Sequence, residues 1–195
     1  MGHSDTSFPR LVSLAAHDLR TPLATINGFA QTIARMGALE PPNDRYVDII
    51  VQASRQLAEL LDELGLAARI EGGRYEPNLQ TIDTLELARA AQEELGEDRV
   101  RVDGRGGEVN VDVEATRRAI AALAQAALRH GGLDEVDVSA DGATLTIRPV
   151  TESSGPVVTG ADLRDLGAAV AVRLVEALGG SVTLDGDGLI VRLPE

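Results

Sequence analysis

The 195-residue chain carries 31 acidic residues against 18 basic ones, for a formal net charge of −13, and it contains no cysteine. Disulfides and thiolate metal sites are therefore excluded. A chain this acidic repels phosphate backbones, so we expect no binding to nucleic acid. It has neither an apolar run long enough to span a membrane nor a leading segment typical of a signal peptide, which predicts a cytoplasmic protein without membrane contact.

Two helices are predicted in the first part of the chain. In the stretches 12–37 and 47–68, apolar or small residues recur at alternating spacings of four and three, which is a heptad seam. A Pro41-Pro42 break separates them, and Asn43 or Asp44 is expected to cap the second helix. Because two helices alone cannot enclose a core, the seam predicts a homodimer whose two hairpins form a four-helix bundle. The seam positions are Val12, Ala16, Leu19, Leu23, Ile26, Ala30, Ile33 and Gly37 in the first helix, and Val47, Ile50, Ser54, Leu57, Leu61, Leu64 and Ala68 in the second.

The pattern changes after Gly72, which predicts a first domain over residues 1–72 and a second over 73–195. Thr84 is expected to be the N-cap of the first helix in the second domain. Helices on one face of a mainly antiparallel sheet predict an α+β sandwich there. In chain order, the predicted elements are a short segment at 79–82, a helix from 84 to about 95, strands at 99–103 and 108–111, a helix at 114–130, a hairpin of strands at 135–140 and 143–148, a helix at 162–178, and a closing hairpin of strands at 181–184 and 189–193.

The three histidines are His3, His17 and His130, too few and too scattered for a metal cage. We expect His130, at the end of a predicted helix, to pack or to cap that helix. His17 is one position past a seam residue and is therefore expected at the surface, with Asp18 beside it and Thr21 one turn later. An exposed imidazole next to a carboxylate is a competent nucleophile for a phosphoryl group.

Residues 14–23, LAAHDLRTPL, resemble the H-box of the dimerisation and phosphotransfer domain of sensor histidine kinases. The resemblance implies that His17 accepts a phosphoryl group, that Asp18 is its acid–base partner, and that Thr21 positions water for dephosphorylation. It also implies the four-helix dimer. Receiver domains of this family would dock on the first helix, at Leu19, Arg20 and Leu23.

The second domain resembles the catalytic and ATP-binding domain of the same family, with departures. Two helix positions that are asparagine in active kinases are Ala122 and Ala126, and alanine has no atom to coordinate the magnesium of the nucleotide. A phosphate-binding glycine is replaced by Asp165, which is expected to repel phosphate at a helix N-terminus. Residues 149–161 contain no D-x-G-x-G box and are too short for an ATP lid. We therefore expect this chain to bind neither ATP nor a metal.

Three functions fit these residues. The leading interpretation is a dimeric histidine phosphotransferase of a two-component phosphorelay, which shuttles a phosphoryl group between receiver-domain aspartates through His17 without ATP. Magnesium would then come with the receiver. The first alternative is a divergent sensor histidine kinase, or a fragment of one, that phosphorylates His17 from ATP. The second is a non-catalytic dimeric pseudokinase scaffold.

Overall fold

The structure of the chain is a computed structural model that describes residues 7–36 and 39–195. The chain divides into two compact units, Met1–Tyr75 and Glu76–Glu195. The division lies three residues after Gly72, the end of the first predicted domain. Within the described ranges, no helix combines the length and the apolar character that crossing a membrane requires.

The first unit is an antiparallel helical hairpin. Helix α1 spans Ser7–Arg35 and helix α2 spans Asn43–Glu71, and the two pack against each other. Helix α1 continues through Pro22. The predicted seam position Gly37 lies outside the described residues.

The hairpin buries only part of the predicted seam. The buried seam positions carry mostly small side chains, which let the two backbones approach closely; they are Ala16, Leu23, Ala30, Val47, Ser54 and Ala68. Other seam positions stay exposed, among them Leu19 at 55%, Ile26 at 52% and Leu57 at 52%. A single hairpin therefore leaves part of its heptad pattern without a packing partner.

The predicted cap of α2 is wrong. Pro42 occupies the N-cap position and makes no side-chain cap hydrogen bond, while Asn43 and Asp44 lie in the first turn. Proline is tolerated there because the missing N–H would have no partner inside the helix. The backbone N–H of Asn43 donates to the carbonyl of Glu40 at 2.9 Å, and within the first turn the side chain of Asp44 accepts a hydrogen bond from the N–H of Arg45 at 2.7 Å.

The second unit contains seven strands and four helices among the described residues. Its strands are β1 Leu79–Asp83, β2 Val100–Gly106, β3 Glu108–Asp112, β4 Val136–Gly142, β5 Thr144–Arg148, β6 Ser181–Asp185 and β7 Gly188–Arg192. Its helices are α3 Thr84–Leu95, α4 Val113–Gly131, α5 Gly155–Val158 and α6 Leu166–Ala177. The mixed α+β architecture predicted from the sequence is confirmed.

The main sheet has five strands in the order β2-β4-β5-β7-β6. Strands β2 and β4 are parallel and the other neighbouring pairs are antiparallel. A separate antiparallel pair joins β1 to β3. In β4 and β5 alternate residues are buried, which gives the sheet one face for the helices and one for solvent.

Two helix starts in this unit differ from prediction. Asp83, not Thr84, caps α3, because its side chain accepts a hydrogen bond from the N–H of Leu85 at 2.7 Å. Thr84 is buried, and its Oγ1 donates to the carbonyl of Gly142 at 2.6 Å. The last long helix begins at Leu166 rather than at residue 162, because Asp165 caps it.

Candidate functional site

His17 lies on the surface of α1 with 74% of its side chain exposed. Its Nδ1 is 3.2 Å from Oδ1 of Asp18, whose side chain is 67% exposed. An ionised carboxylate can only accept a hydrogen bond, so this contact places the proton of a neutral imidazole on Nδ1. The lone pair is then on Nε2, which is the nitrogen available to attack a phosphorus atom.

The exposed heptad residues of α1 lie on the side of the helix away from His17, whereas the exposed Leu14 lies about 60° from His17 on the same side. Successive residues of an α-helix are rotated by about 100°. Measured from the buried Ala16, His17 lies about 100° to one side, whereas Leu19 and Ile26 lie roughly 60–80° to the other. Ile33, which is 42% exposed, lies on the same side of α1 as Leu19 and Ile26.

The same rotation divides α2. Measured from the buried Ser54, Leu57 and Leu60 lie roughly 60–120° to one side and Asp62 lies about 80° to the other. Asp62 binds Arg20 of α1, with 2.6 Å between Oδ1 and Nη2. This ion pair therefore lies on the face of the hairpin that also carries His17, which we call the His17 face. The opposite side, the apolar face, is formed by Leu19, Ile26, Ile33, Ile50, Leu57 and Leu60.

The remaining predicted site residues are distributed over different parts of α1. Thr21 is exposed one turn after His17, about 40° further around the helix. Leu19 is exposed on the apolar face, and Arg20 is engaged by Asp62 on the His17 face. Leu23 is only 8% exposed and packs inside the hairpin, so a docking partner on the His17 face could reach Arg20 but not Leu23.

In the second unit, the helix positions expected to hold asparagines offer no ligand atoms. Ala126 is fully buried on α4, and Ala122 is partly buried on the same helix. Among the described residues, no group of three histidine or acidic side chains is placed to hold a metal ion. Nothing at these positions could replace an oxygen ligand of magnesium.

Asp165 occupies the N-terminus of α6 with its own carboxylate. Its Oδ1 accepts a hydrogen bond from the N–H of Ala168 at 3.1 Å. Its Oδ2 lies 3.0 Å from Nε2 of His130 and 3.3 Å from Nη1 of Arg129. The side chains of Asp165 and His130 are only 10% and 18% exposed. His130 therefore binds a carboxylate across two helices, where the sequence predicted a packing or capping role.

Residues 149–161 form a packed element instead of an open loop. They include the short helix α5, whose Val157 and Val158 are fully buried, and Ser154 just before it is buried as well. The Oγ of Ser153 donates to the carbonyl of His130 at 2.8 Å. This element is thus hydrogen-bonded to the end of α4 at His130, the residue whose side chain contacts Asp165.

These residues do not fit magnesium-ATP. A helix N-terminus attracts a phosphate through its free N–H groups and its positive dipole end. In α6 the carboxylate of Asp165 already accepts a hydrogen bond from one of these N–H groups, and it adds a negative charge at the helix N-terminus. Ala126 has no atom that could coordinate a metal. The phosphates of ATP and its magnesium ion therefore both lack the contact that the family resemblance leads us to expect.

Sequence reasoning did not find the Arg20–Asp62 and His130–Asp165 pairs. Their members are 42 and 35 residues apart. For the first pair a signal existed, since a hairpin turned at Pro41-Pro42 brings residues equally distant from the turn to the same level. No comparable signal existed for the second pair.

Comparisons with known proteins agree with this geometry. The model of the family described as "His Kinase A (phospho-acceptor) domain" matches residues 10–73, which include His17 and most of both hairpin helices. An uncharacterized sensor-like histidine kinase of Rhizobium meliloti (strain 1021) is 32% identical over 152 residues, which are 71% of this chain and 29% of that protein. Histidine protein kinase DivJ of Caulobacter vibrioides is 30% identical over 175 residues, 81% of this chain and 28% of DivJ.

The fold is also similar to that of a solved histidine kinase structure. Full-length ShkA, crystallised in complex with AMPPNP, aligns with a TM-score of 0.67 at 20% identity and covers 94% of this chain and 44% of its own. At this identity the likeness establishes the fold alone. The chain spans less than a third of the length of the two curated relatives.

Proposed function

We propose that this chain, which belongs to the histidine kinase-like family, is a histidine phosphotransferase of a two-component phosphorelay. Phosphoryl groups would pass from the aspartyl phosphate of one receiver domain to His17, and from His17 to the aspartate of another. The family model of the phospho-acceptor domain matches residues 10–73, which supports this proposal. The step from kinase to ATP-independent phosphotransferase rests on one observation, the occupation of the α6 N-terminus by Asp165.

The transfer can be written with the residues of α1. Nε2 of neutral His17 attacks phosphorus, the P–Nε2 bond forms, and the acyl P–O bond breaks. The electron pair leaves with the carboxylate of the receiver. No proton has to move, because Nδ1 keeps its proton and Asp18, 3.2 Å away, stabilises the resulting imidazolium. Thr21 is the residue that would orient water for hydrolysis of the phosphorylated imidazole.

Magnesium would be supplied by the receiver. Transfer of a phosphoryl group needs a positive charge close to the phosphoryl oxygens, because it stabilises the negative charge on them in the transition state. The described part of this chain offers no cluster of ligands for a metal ion. We therefore propose that the chain itself carries neither a metal nor ATP.

We further propose that the chain works as a homodimer through the apolar face. All but three of the large hydrophobic side chains that are exposed in the described structure belong to the first unit. Complete burial of an exposed leucine or isoleucine contributes about 1.5–3 kcal/mol, so burial of the side chains of the apolar face, which are already about half buried, contributes roughly half of that. Pairing two apolar faces would complete the heptad pattern as a four-helix bundle and leave both His17 faces accessible to receivers.

The test uses the purified 195-residue chain and a panel of receiver domains phosphorylated with radiolabelled acetyl phosphate. Wild type should acquire acid-labile label from at least one receiver, and His17→Gln should acquire none. In parallel, radiolabelled ATP with magnesium should leave wild type unlabelled. Labelling of His17 from ATP would replace this proposal with the divergent kinase. Absence of transfer to or from every receiver would favour the scaffold.

A further inference from the structure

Arg69 lies on the His17 face of the hairpin, two turns after Asp62 on α2. It is exposed, and its position is about 60° from the buried Ser54 on the same side as Asp62. Side chains on a helix lean toward its N-terminus, so the Arg69 side chain extends back over Gly65. Its Nη1 lies 3.6 Å from the point that a Cβ on Gly65 would occupy.

That point also identifies the neighbour of Arg69 on α1. The Cβ of Ala16 lies 4.0 Å from the same point over Gly65. The pairs Ala16–Gly65 and Arg20–Asp62 fix the register of the antiparallel helices, and in this register His17 lies at the level of Gly65. The guanidinium of Arg69 and Ala16, the residue that precedes His17, therefore both lie against Gly65, and Arg69 is on the face to which His17 projects.

We infer that Arg69 binds the phosphoryl group that His17 carries. This inference rests on the proposed function, because it gives Arg69 a role in the phosphorylated state. The ion pairs among the described residues involve other arginines, and Asp18, the carboxylate beside His17, contacts the ring nitrogen. The side chain of Arg69 can thus turn toward an anion at Nε2 without giving up a carboxylate.

The charge of the chain makes such a cation important. With a net charge of −13, the protein repels the anionic acyl phosphate that must approach it. A guanidinium presents two parallel N–H groups that match two phosphoryl oxygens, and it stays protonated throughout. Arg69 would therefore hold the transferring group while His17 Nε2 forms the new bond and the leaving group takes its electron pair.

The experiment uses phosphoramidate as donor, so that it needs no receiver. The P–N bond of phosphoramidate breaks, ammonia leaves, and the P–Nε2 bond forms. Phosphorylation of the 195-residue chain is followed by intact mass spectrometry, with His17→Gln as the blank. We expect Arg69→Gln to slow phosphorylation about tenfold, as for loss of one hydrogen bond to a charged group, and Arg69→Lys to recover part of the rate. The wild-type rate should also fall with added salt more steeply than the Arg69→Gln rate.

Arg55→Gln is the matched control. It removes the same charge from the same helix at an exposed position 14 residues away, about 21 Å along the axis. We expect the phosphorylation rate of Arg55→Gln to equal that of wild type. Thermal melts should show a cooperative unfolding transition for every variant. Equal rates for Arg69→Gln and Arg55→Gln would overturn the inference, whatever the receivers do. If phosphoramidate gives the Arg69 effect but no receiver exchanges label with wild type, the proposed function fails and the contact between Arg69 and the phosphoryl group stands.

Discussion

Replacing Asp165 with alanine removes the N-cap of α6 and the anion that joins α6 to the end of α4. The carboxylate accepts a hydrogen bond from Ala168 and lies 3.0 Å from Nε2 of His130. It also lies 3.3 Å from Nη1 of Arg129. These contacts can be separated, because asparagine still caps a helix but carries no charge.

The magnitude follows from the exposure of each partner. Loss of an N-cap costs about 1 kcal/mol. The contact with His130 is mostly buried, and a hydrogen bond to a charged group contributes about 1.5–3 kcal/mol. The side chain of Arg129 is 59% exposed, so its contribution is small, on the order of 0.5 kcal/mol. We expect Asp165→Ala to lower the free energy of unfolding by about 3 kcal/mol, equivalent to a fall in Tm on the order of 10 °C for a unit of this size.

Urea unfolding monitored by circular dichroism measures this effect. Asp165→Asn should lose about two thirds as much stability as Asp165→Ala, because only the charged contacts disappear. The control is Asp162→Asn, which breaks an ion pair with Arg164 whose side chains are 38% and 56% exposed. We expect that control to cost less than about 1 kcal/mol. A cost for Asp165→Ala no larger than that for Asp162→Asn would mean that the carboxylate of Asp165 does not connect α4 and α6.

Three further perturbations test the first unit. Asp18→Asn should slow phosphorylation of His17 at least tenfold while His17 remains the only labelled residue, because the carboxylate that stabilises the imidazolium is lost; an unchanged rate measured by intact mass would contradict this. Ile26→Glu combined with Leu57→Glu should shift the chain to monomers in light scattering, whereas a persistent dimer would exclude the apolar face as the interface. Arg20→Gln should lower the free energy of unfolding by less than about 1 kcal/mol in thermal melts, because the pair with Asp62 is nearly half exposed; a larger loss would mean that the ion pair holds the hairpin together.

The sequence predicted the elements of the fold well because most of its signals are local. Heptad spacing indicates two helices, Gly72 marks the end of the second, and alternating apolar residues indicate the strands of the sheet. The apolar patterns at 135–140 and 143–148 were sufficient to predict the hairpin formed by β4 and β5, although its turn is Gly142-Ala143, between the paired Asp141 and Thr144. The helix starts were less predictable. Asp83 and Thr84 both have side chains that can cap a helix, and only the burial of Thr84 against Gly142 decides between them.

The candidate site divides in the same way. The pairing of His17 with Asp18 follows from adjacent residues, so the sequence was enough to single them out. The partners of Asp165 and Arg20 come from elements 35 and 42 residues away, and their contacts depend on how those elements pack. The family resemblance implied that Leu23 takes part in docking, but the packing of the hairpin buries it.

By itself, the sequence determined that the chain has a helical hairpin, with His17 beside Asp18, followed by an α+β domain, and it predicted that this domain lacks the residues that hold magnesium-ATP. Only the tertiary structure decided which heptad residues the hairpin buries and which remain on the apolar face. It also decided that Asp165 is bound by His130 rather than free, and that the guanidinium of Arg69 lies over Gly65. The physical reason is that periodicity is a property of the local chain, whereas an ion pair or a buried contact depends on the register between elements that are distant in sequence.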